Sequence, residues 1–172
     1  MSRLISSTEW VPLGADDISE VYRIANIVHP DLPERLEVFA EKFRLFPQGC
    51  LKFVDESRMW GYGIAHPWNI FPIPDLDTLT ISYPDDADCM YIHDVAVLPE
   101  ARGNHAAERY VAIMRKLSQE LSLARLACVS VYGTDVLWSR FGFETVASVE
   151  ISQQLKKYGP TAKYMIASSK VS

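Results

Sequence analysis

The stretch that most constrains the fold is Cys89-Met-Tyr-Ile-His-Asp-Val-Ala-Val-Leu98, an apolar run that meets Pro99 and leads into a long amphipathic segment. From Gly103 to Leu121 the chain places Ala107, Tyr110, Val111, Met114, Leu117 and Leu121 at helical spacing, with Arg109, Lys116 and Glu120 opposite. A second apolar run, Leu126–Tyr132, follows at once. Strand, helix and strand in this order predict a parallel pair joined by a right-handed crossover.

The flanking segments extend that unit. Ile5 to Leu13 reads as an opening strand, closed by Pro12 and Gly14. Ile18, Val21, Tyr22 and Ala25 then recur at helical spacing up to Val28, with acids in the first turn. His29-Pro-Asp-Leu-Pro33 breaks that helix, and a second begins near Glu34 with Leu36, Phe39, Ala40 and Phe43 on one face. Cys50–Asp55 and Met59–Ala65 are joined by a short polar turn and predict a hairpin. His66 to Asp88 reads as a long loop rich in Pro and Asp, of the kind that tends to be functional. A short helix from Thr134 to Phe141 stops at Gly142, and two strands lie near Phe143–Val149 and Ala162–Ser168. The order β-α-α-β-β-β-α-β-α-β-β, with hairpins flanking a parallel crossover, implies a single α/β (α+β) domain over residues 1–172 with a mixed sheet.

Composition narrows the class. A net charge of −5 without a basic run disfavours a nucleic-acid surface. No apolar run approaches the ~18 residues of a membrane span. The N-terminus has no apolar core before a small-residue cleavage site, so the expectation is a soluble cytoplasmic protein without membrane association. Cys50, Cys89 and Cys128 stand far apart in apolar surroundings, which predicts buried thiols rather than disulfides or a metal site.

The chemistry is expected where the central strand turns into its helix. Helix dipoles favour acids in the first turn, yet Arg102, Asn104 and His105 stand there, with no carboxylate before Glu108. That inversion suits an anion held by free main-chain N–H groups, with Gly103 allowing close approach and Arg102 adding charge. An ordinary turn is the alternative reading. Gly-Lys-Ser/Thr and Gly-x-Gly-x-x-Gly are both absent, so nucleotide and dinucleotide loops are set aside.

These residues resemble the GNAT superfamily of acetyl-CoA-dependent N-acetyltransferases. Its signature, Gln/Arg-x-x-Gly-x-Gly/Ala after a strand ending Val-x-x-Pro, is met by Arg102-Gly-Asn-His-Ala-Ala107, except that His105 replaces the inner glycine. A second signature, a helix ending aromatic-x-x-x-Gly-Phe, is similar to Trp138-Ser-Arg-Phe-Gly142-Phe143. The resemblance implies a mostly antiparallel sheet with a splayed central parallel pair. It implies acetyl-CoA as co-substrate and a small-molecule amine as acceptor, and it is compatible with a homodimer. Protein or peptide acetylation, and a CoA-binding module without catalysis, are the alternatives.

Carried over by position, the resemblance implies that Val95, Ala96 and Val97 present main-chain groups to the pantetheine arm. A main-chain N–H near Val95 would serve as oxyanion donor. Arg102, Gly103, Asn104, His105, Ala106 and Ala107 would cradle the pyrophosphate, with His105 either crowding it or donating to it. Trp138 stands where many members carry an acidic tyrosine, beside the cofactor; Tyr132 is the nearest substitute as acid for the thiolate. His93 is the candidate base, and arylalkylamine N-acetyltransferases, to which this strand looks similar, also place histidine here. A buried, merely hydrogen-bonded histidine is the competing reading. Asp94 would face away in a regular strand, either orienting His93 across a bulge or anchoring a neighbouring loop. Asp75, Asp77, Asp85, Asp86 and Asp88 are a solvated loop or a lure for a cationic amine, and His29, Trp68 and Phe71 are candidate acceptor-side residues.

Overall fold

The computed structural model describes residues 7–170. Its strands are β1 (Glu9–Pro12), β2 (Leu51–Val54), β3 (Met59–Trp68), β4 (Cys89–Val97), β5 (Arg125–Ser130), β6 (Glu144–Val146) and β7 (Lys163–Ser168). Its helices are α1 (Ile18–Val28), α2 (Leu36–Leu45), α3 (Ala106–Glu120), α4 (Asp135–Arg140) and α5 (Val149–Gln154). The strands form one seven-stranded sheet in the order β1-β2-β3-β4-β5-β7-β6. Among the described strands only β4 and β5 pair in parallel, as the crossover pattern requires, and the other pairings are antiparallel.

Residues 5 and 6 of the expected opening strand lie outside the described residues. Two differences from expectation have local causes. β3 runs on through Pro67, because pairing with β2 ends at Gly63 and the proline ring points to the side no strand occupies. α5, a short helix before β7, was not expected; Ser148 caps it by accepting the Ile151 N–H at 3.1 Å.

Three apolar clusters hold the sheet. Ile18, Val21, Ile24 and Ala25 of α1 pack with Phe39 on Phe53, Tyr62, Ile64 and Ala96. On α3, Tyr110, Val111 and Met114 meet Met90, Ile92, Leu126 and Phe143. Tyr91, Ala127, Ile151, Tyr158 and Tyr164 form the third. Close approach makes Gly63 necessary: a Cβ there would lie 2.3 Å from the Tyr110 ring, whose hydroxyl donates to the Gly49 carbonyl at 2.7 Å.

One feature of the sheet positions the site. Pairing between β4 and β5 stops at Ile92 with Cys128, yet β4 continues to Val97 against β3 and β5 continues to Ser130 against β7. The parallel pair splays, leaving a gap at its carboxyl end.

Candidate active site

A bulge in β4 sets the side chains at the head of the gap. Ile64 pairs with Asp94 and Ala65 with Ile92, so His93 is the extra residue. In a regular strand Asp94 would face away from His93. The inserted residue brings both side chains toward the connection between α1 and α2, where each finds a partner.

Two buried histidine–carboxylate pairs result. His93 Nε2 lies 2.8 Å from Glu34 Oε1, with both side chains almost fully buried. Glu34 Oε2 also accepts the Asp77 N–H at 3.0 Å. Burial raises the Glu34 carboxyl, but the neighbouring His93 ring outweighs it and holds the pKa below the ordinary value. Beside this pair, His29 Nε2 sits 2.8 Å from Asp94 Oδ1, and the Tyr62 hydroxyl donates to Asp94 Oδ2. Burial lowers the His29 pKa, and Asp94 more than reverses this, leaving it raised. For Asp94 burial pushes up, while His29 and Tyr62 pull the carboxyl below its usual range. Asp94 therefore anchors the α1 terminus rather than His93.

In each pair the imidazole Nδ1 is buried without a hydrogen-bond partner among the described residues. Glu34 as acceptor fixes the neutral His93 tautomer with its proton on Nε2, which leaves Nδ1 with a free lone pair. His66 packs 6.3 Å from His93, centroid to centroid, and stacks on Tyr83. Burial holds its pKa far below the ordinary value, so it adds an uncharged wall.

At the other end lies the turn before α3. The first helical bond is Arg109 N–H to His105 O at 3.0 Å, and no main-chain N–H of residues 103–108 has an acceptor among the described residues. His105 adopts the left-handed region at φ 54°, where the related signature has glycine; histidine is among the residue types enriched there. Its ring is 78% exposed and lies 3.1 Å from Glu108, so it neither crowds the amides nor is held among them.

A cavity of about 800 Å³ connects the two ends. His29, Glu34, His93 and Asp94 line it, as do Val95, Val97, Arg102, Gly103, His105, Ala106, Ala107, Tyr132 and Trp138. The Leu98 N–H donates to Trp60 at 2.8 Å, which turns the main chain of Leu98 and Ala96 to β3 and that of Val95 and Val97 into the gap. Arg102 Nε donates to the Val97 carbonyl at 3.3 Å. Ala96 and Asn104 do not line the cavity: Ala96 is buried against α1, and the Asn104 amide donates to the Ala101 carbonyl at 2.8 Å.

Tyr132 is half exposed, stacks on His29 at 5.9 Å, and carries a hydroxyl that burial lifts above the ordinary phenol pKa. Trp138 is packed edge-on against Phe141 and Phe143. Cys50, Cys89 and Cys128 are free and buried. None of the loop aspartates, nor Trp68 or Phe71, lines the cavity. Asp77 pairs with Arg35, Asp75 with Lys157 and Asp88 with Arg125.

Glu34 and Tyr62 were missed as site residues. Their only sequence signal was the position of Glu34 directly after the Pro-bounded break that also holds His29.

No known family profile matches the chain, and no curated sequence matches it. Solved structures do. The ribosomal-protein-S18-alanine N-acetyltransferase of Escherichia coli superposes at a TM-score of 0.66 with 12% identity, over 96% of this chain and 96% of that one. Rv2747 of Mycobacterium tuberculosis, in complex with CoA and NLQ, gives 0.67 with 13% identity, over 93% and 98%. GphF, a GNAT-like decarboxylase in complex with isobutyryl-CoA, gives 0.73 with 10% identity, over 94% and 100%. The fold is that of the GNAT acetyltransferases.

Proposed function

We propose that the protein is an N-acetyltransferase that moves the acetyl group of acetyl-CoA to the amine of a small molecule, by direct attack in a ternary complex. One observation carries this reading: the turn before α3, whose 103–108 amides have no acceptor among the described residues, lines through Gly103 and residues 105–108 a cavity that follows the gap between β4 and β5 to the His93–Glu34 pair. A pyrophosphate suits the amides and the dipole of α3, with Arg102 beside it. The inward-facing main chain of Val95 and Val97 offers strand-like pairing to a pantetheine amide.

In this reading His93 takes the ammonium proton. Its Nδ1 has no hydrogen-bond partner among the described residues and keeps its lone pair for the proton, and Glu34 stabilises the imidazolium that forms. The amine nitrogen then attacks the thioester carbonyl, whose developing oxyanion is met by the Val95 N–H. The C–N bond forms, the C–S bond breaks, and the thiolate leaves with the electron pair. Tyr132 returns a proton to it. Of the cavity's two tyrosines Tyr132 is half exposed and Tyr158 is 8% exposed, so Tyr132 is the one that exchanges readily with water.

A small acceptor is favoured over a polypeptide because the 69–88 loop is tied down on both flanks. Arg35 and Glu34 bind Asp77, and Glu41 accepts the Thr80 and Ile81 N–H groups. Tyr158 donates to Pro74 at 2.5 Å and Gln154 accepts the Ile73 N–H at 2.9 Å. A thiol-release assay over an amine panel, paired with acetyl-CoA calorimetry, tests the reading. His93→Ala is expected to lower turnover about 100-fold or more near neutral pH while acetyl-CoA affinity holds. Equal kinetics across the pH range would remove His93 from the mechanism.

A further inference from the structure

Glu34 fixes the tautomer of His93, yet it lies outside any helix or strand, in the break between α1 and α2, on a long side chain with freedom to lose. Charge alone does not aim it. The buried Lys42 ammonium on α2 attracts Glu34 but gives it no hydrogen bond among the described residues. Direction comes from Asp77, 43 residues away, which trades hydrogen bonds with this segment both ways. Glu34 Oε2 accepts the Asp77 N–H at 3.0 Å, and Asp77 Oδ1 accepts the Arg35 N–H at 2.8 Å. The Arg35 guanidinium closes on the same residue, Nε to the carboxylate at 3.0 Å and Nη2 to the Asp77 carbonyl at 2.9 Å. Asp77 itself holds the left-handed conformation at φ 52°, which aspartate tolerates. Its neighbours are pinned on either side, Pro74 by Tyr158 and the Thr80 and Ile81 N–H groups by Glu41. Ile81 pays for this with a φ of 67°, rare for a β-branched residue, so the loop is held in place rather than relaxed there.

We infer that Asp77 is a positioning residue for the reaction: its main-chain N–H and its carboxylate lock residues 33–35 so that Glu34 meets His93 Nε2. This rests on the acetyltransferase reading and adds to it what aims the base. The lock acts through direction more than stability. An ion pair as exposed as Arg35–Asp77 contributes little to folding, so its loss should show in turnover before it shows in Tm.

The test is a double-mutant cycle on the intact protein, read by thiol release with saturating acetyl-CoA and an amine that the wild type turns over. Asp77→Ala should lower kcat about tenfold, a part of what a positioned base supplies, with acetyl-CoA affinity unchanged. Asp77→Asn tolerates the same backbone and keeps an acceptor for the Arg35 N–H, and should stay within about threefold of wild type. Asp77→Gly keeps the backbone freedom without the acceptor, and should match Asp77→Ala. In a Glu34→Gln background Asp77→Ala should cost nothing further. A second readout needs no turnover: nitrogen NMR shifts of the His93 ring should report one Nε2–H tautomer in wild type and Asp77→Asn, and a mixture in Asp77→Ala and Asp77→Gly. Equal losses in both backgrounds, or one unchanged tautomer in Asp77→Ala, would overturn the role of Asp77 and leave the acetyltransferase standing. Thiol release from no amine at all would overturn the acetyltransferase, and the ring shifts would still decide the lock. If Asp77→Ala fails to fold, Asp77→Gly set against Asp77→Asn carries the same comparison.

Discussion

Replacing Glu34 by Gln perturbs the site at one atom pair. The carboxylate is buried, accepts from His93 Nε2 at 2.8 Å and accepts the Asp77 N–H at 3.0 Å. A glutamine of the same shape has one acceptor and one donor where there were two acceptors. If its oxygen keeps Asp77, its NH₂ faces His93 Nε2, and the ring must then carry its proton on Nδ1. The lone pair needed for proton abstraction is lost without any change in packing. A positioned base is worth roughly 10² to 10⁴ in rate, so kcat/KM should fall by about that much. Stability should fall less, by about 1–2 kcal/mol, the gap between a charge-assisted and a neutral hydrogen bond. For a chain of this length that is a Tm loss of a few degrees, about 2–4 °C per kcal/mol. Thiol release over about pH 6 to 9 reads the first effect, with calorimetry showing unchanged acetyl-CoA affinity. A variant within about threefold of wild type, with the same pH profile, would refute the tautomer argument.

The same pairs predict a stability profile with two shoulders. The Glu34 carboxyl sits below its unfolded value, so its contribution is present above about pH 4.3 and is lost as pH falls through the folded pKa; Glu34→Gln should lack that acid-side loss in thermal melts. His29 is shifted upward by Asp94, so its contribution is complete below about pH 6.5 and is lost as pH rises through the folded pKa. The Tm gap between wild type and His29→Gln should therefore narrow on the alkaline side; a gap that widens would contradict the pairing. Arg102→Glu should weaken CoA binding about tenfold or more without lowering Tm, read by calorimetry. Gly61→Ala places a Cβ 2.5 Å from the Ala96 carbonyl, and should cost roughly 1–3 kcal/mol in denaturant melts. Tyr132→Phe should lower kcat less than about tenfold, because a thiolate of parent pKa ~8.5 can also take its proton from solvent.

The β4-α3-β5 unit was legible because buried parallel strands read as unbroken apolar runs and α3 carries a full stripe. The orphan amides were legible for a local reason, since polar and basic residues displaced the usual acids from the first turn. The pairing of His93 and Asp94 with different partners was not. It follows from a bulge that exists only in register with β3, and from His29 and Glu34, whose partners lie 65 and 59 residues away. α5 escaped notice because it buries little: Val149 is 76% exposed and Ile151 is its buried residue. His105 shows the reverse lesson. In sequence the departure from glycine left both crowding of the phosphate and donation to it open; the residue takes the left-handed conformation and turns its ring to solvent.

A crystal grown with acetyl-CoA measures the central claim directly. Diphosphate density is expected within hydrogen-bond reach of the 103–108 amides, with the pantetheine arm between β4 and β5. Cofactor density placed elsewhere, with those amides facing only water, would contradict it.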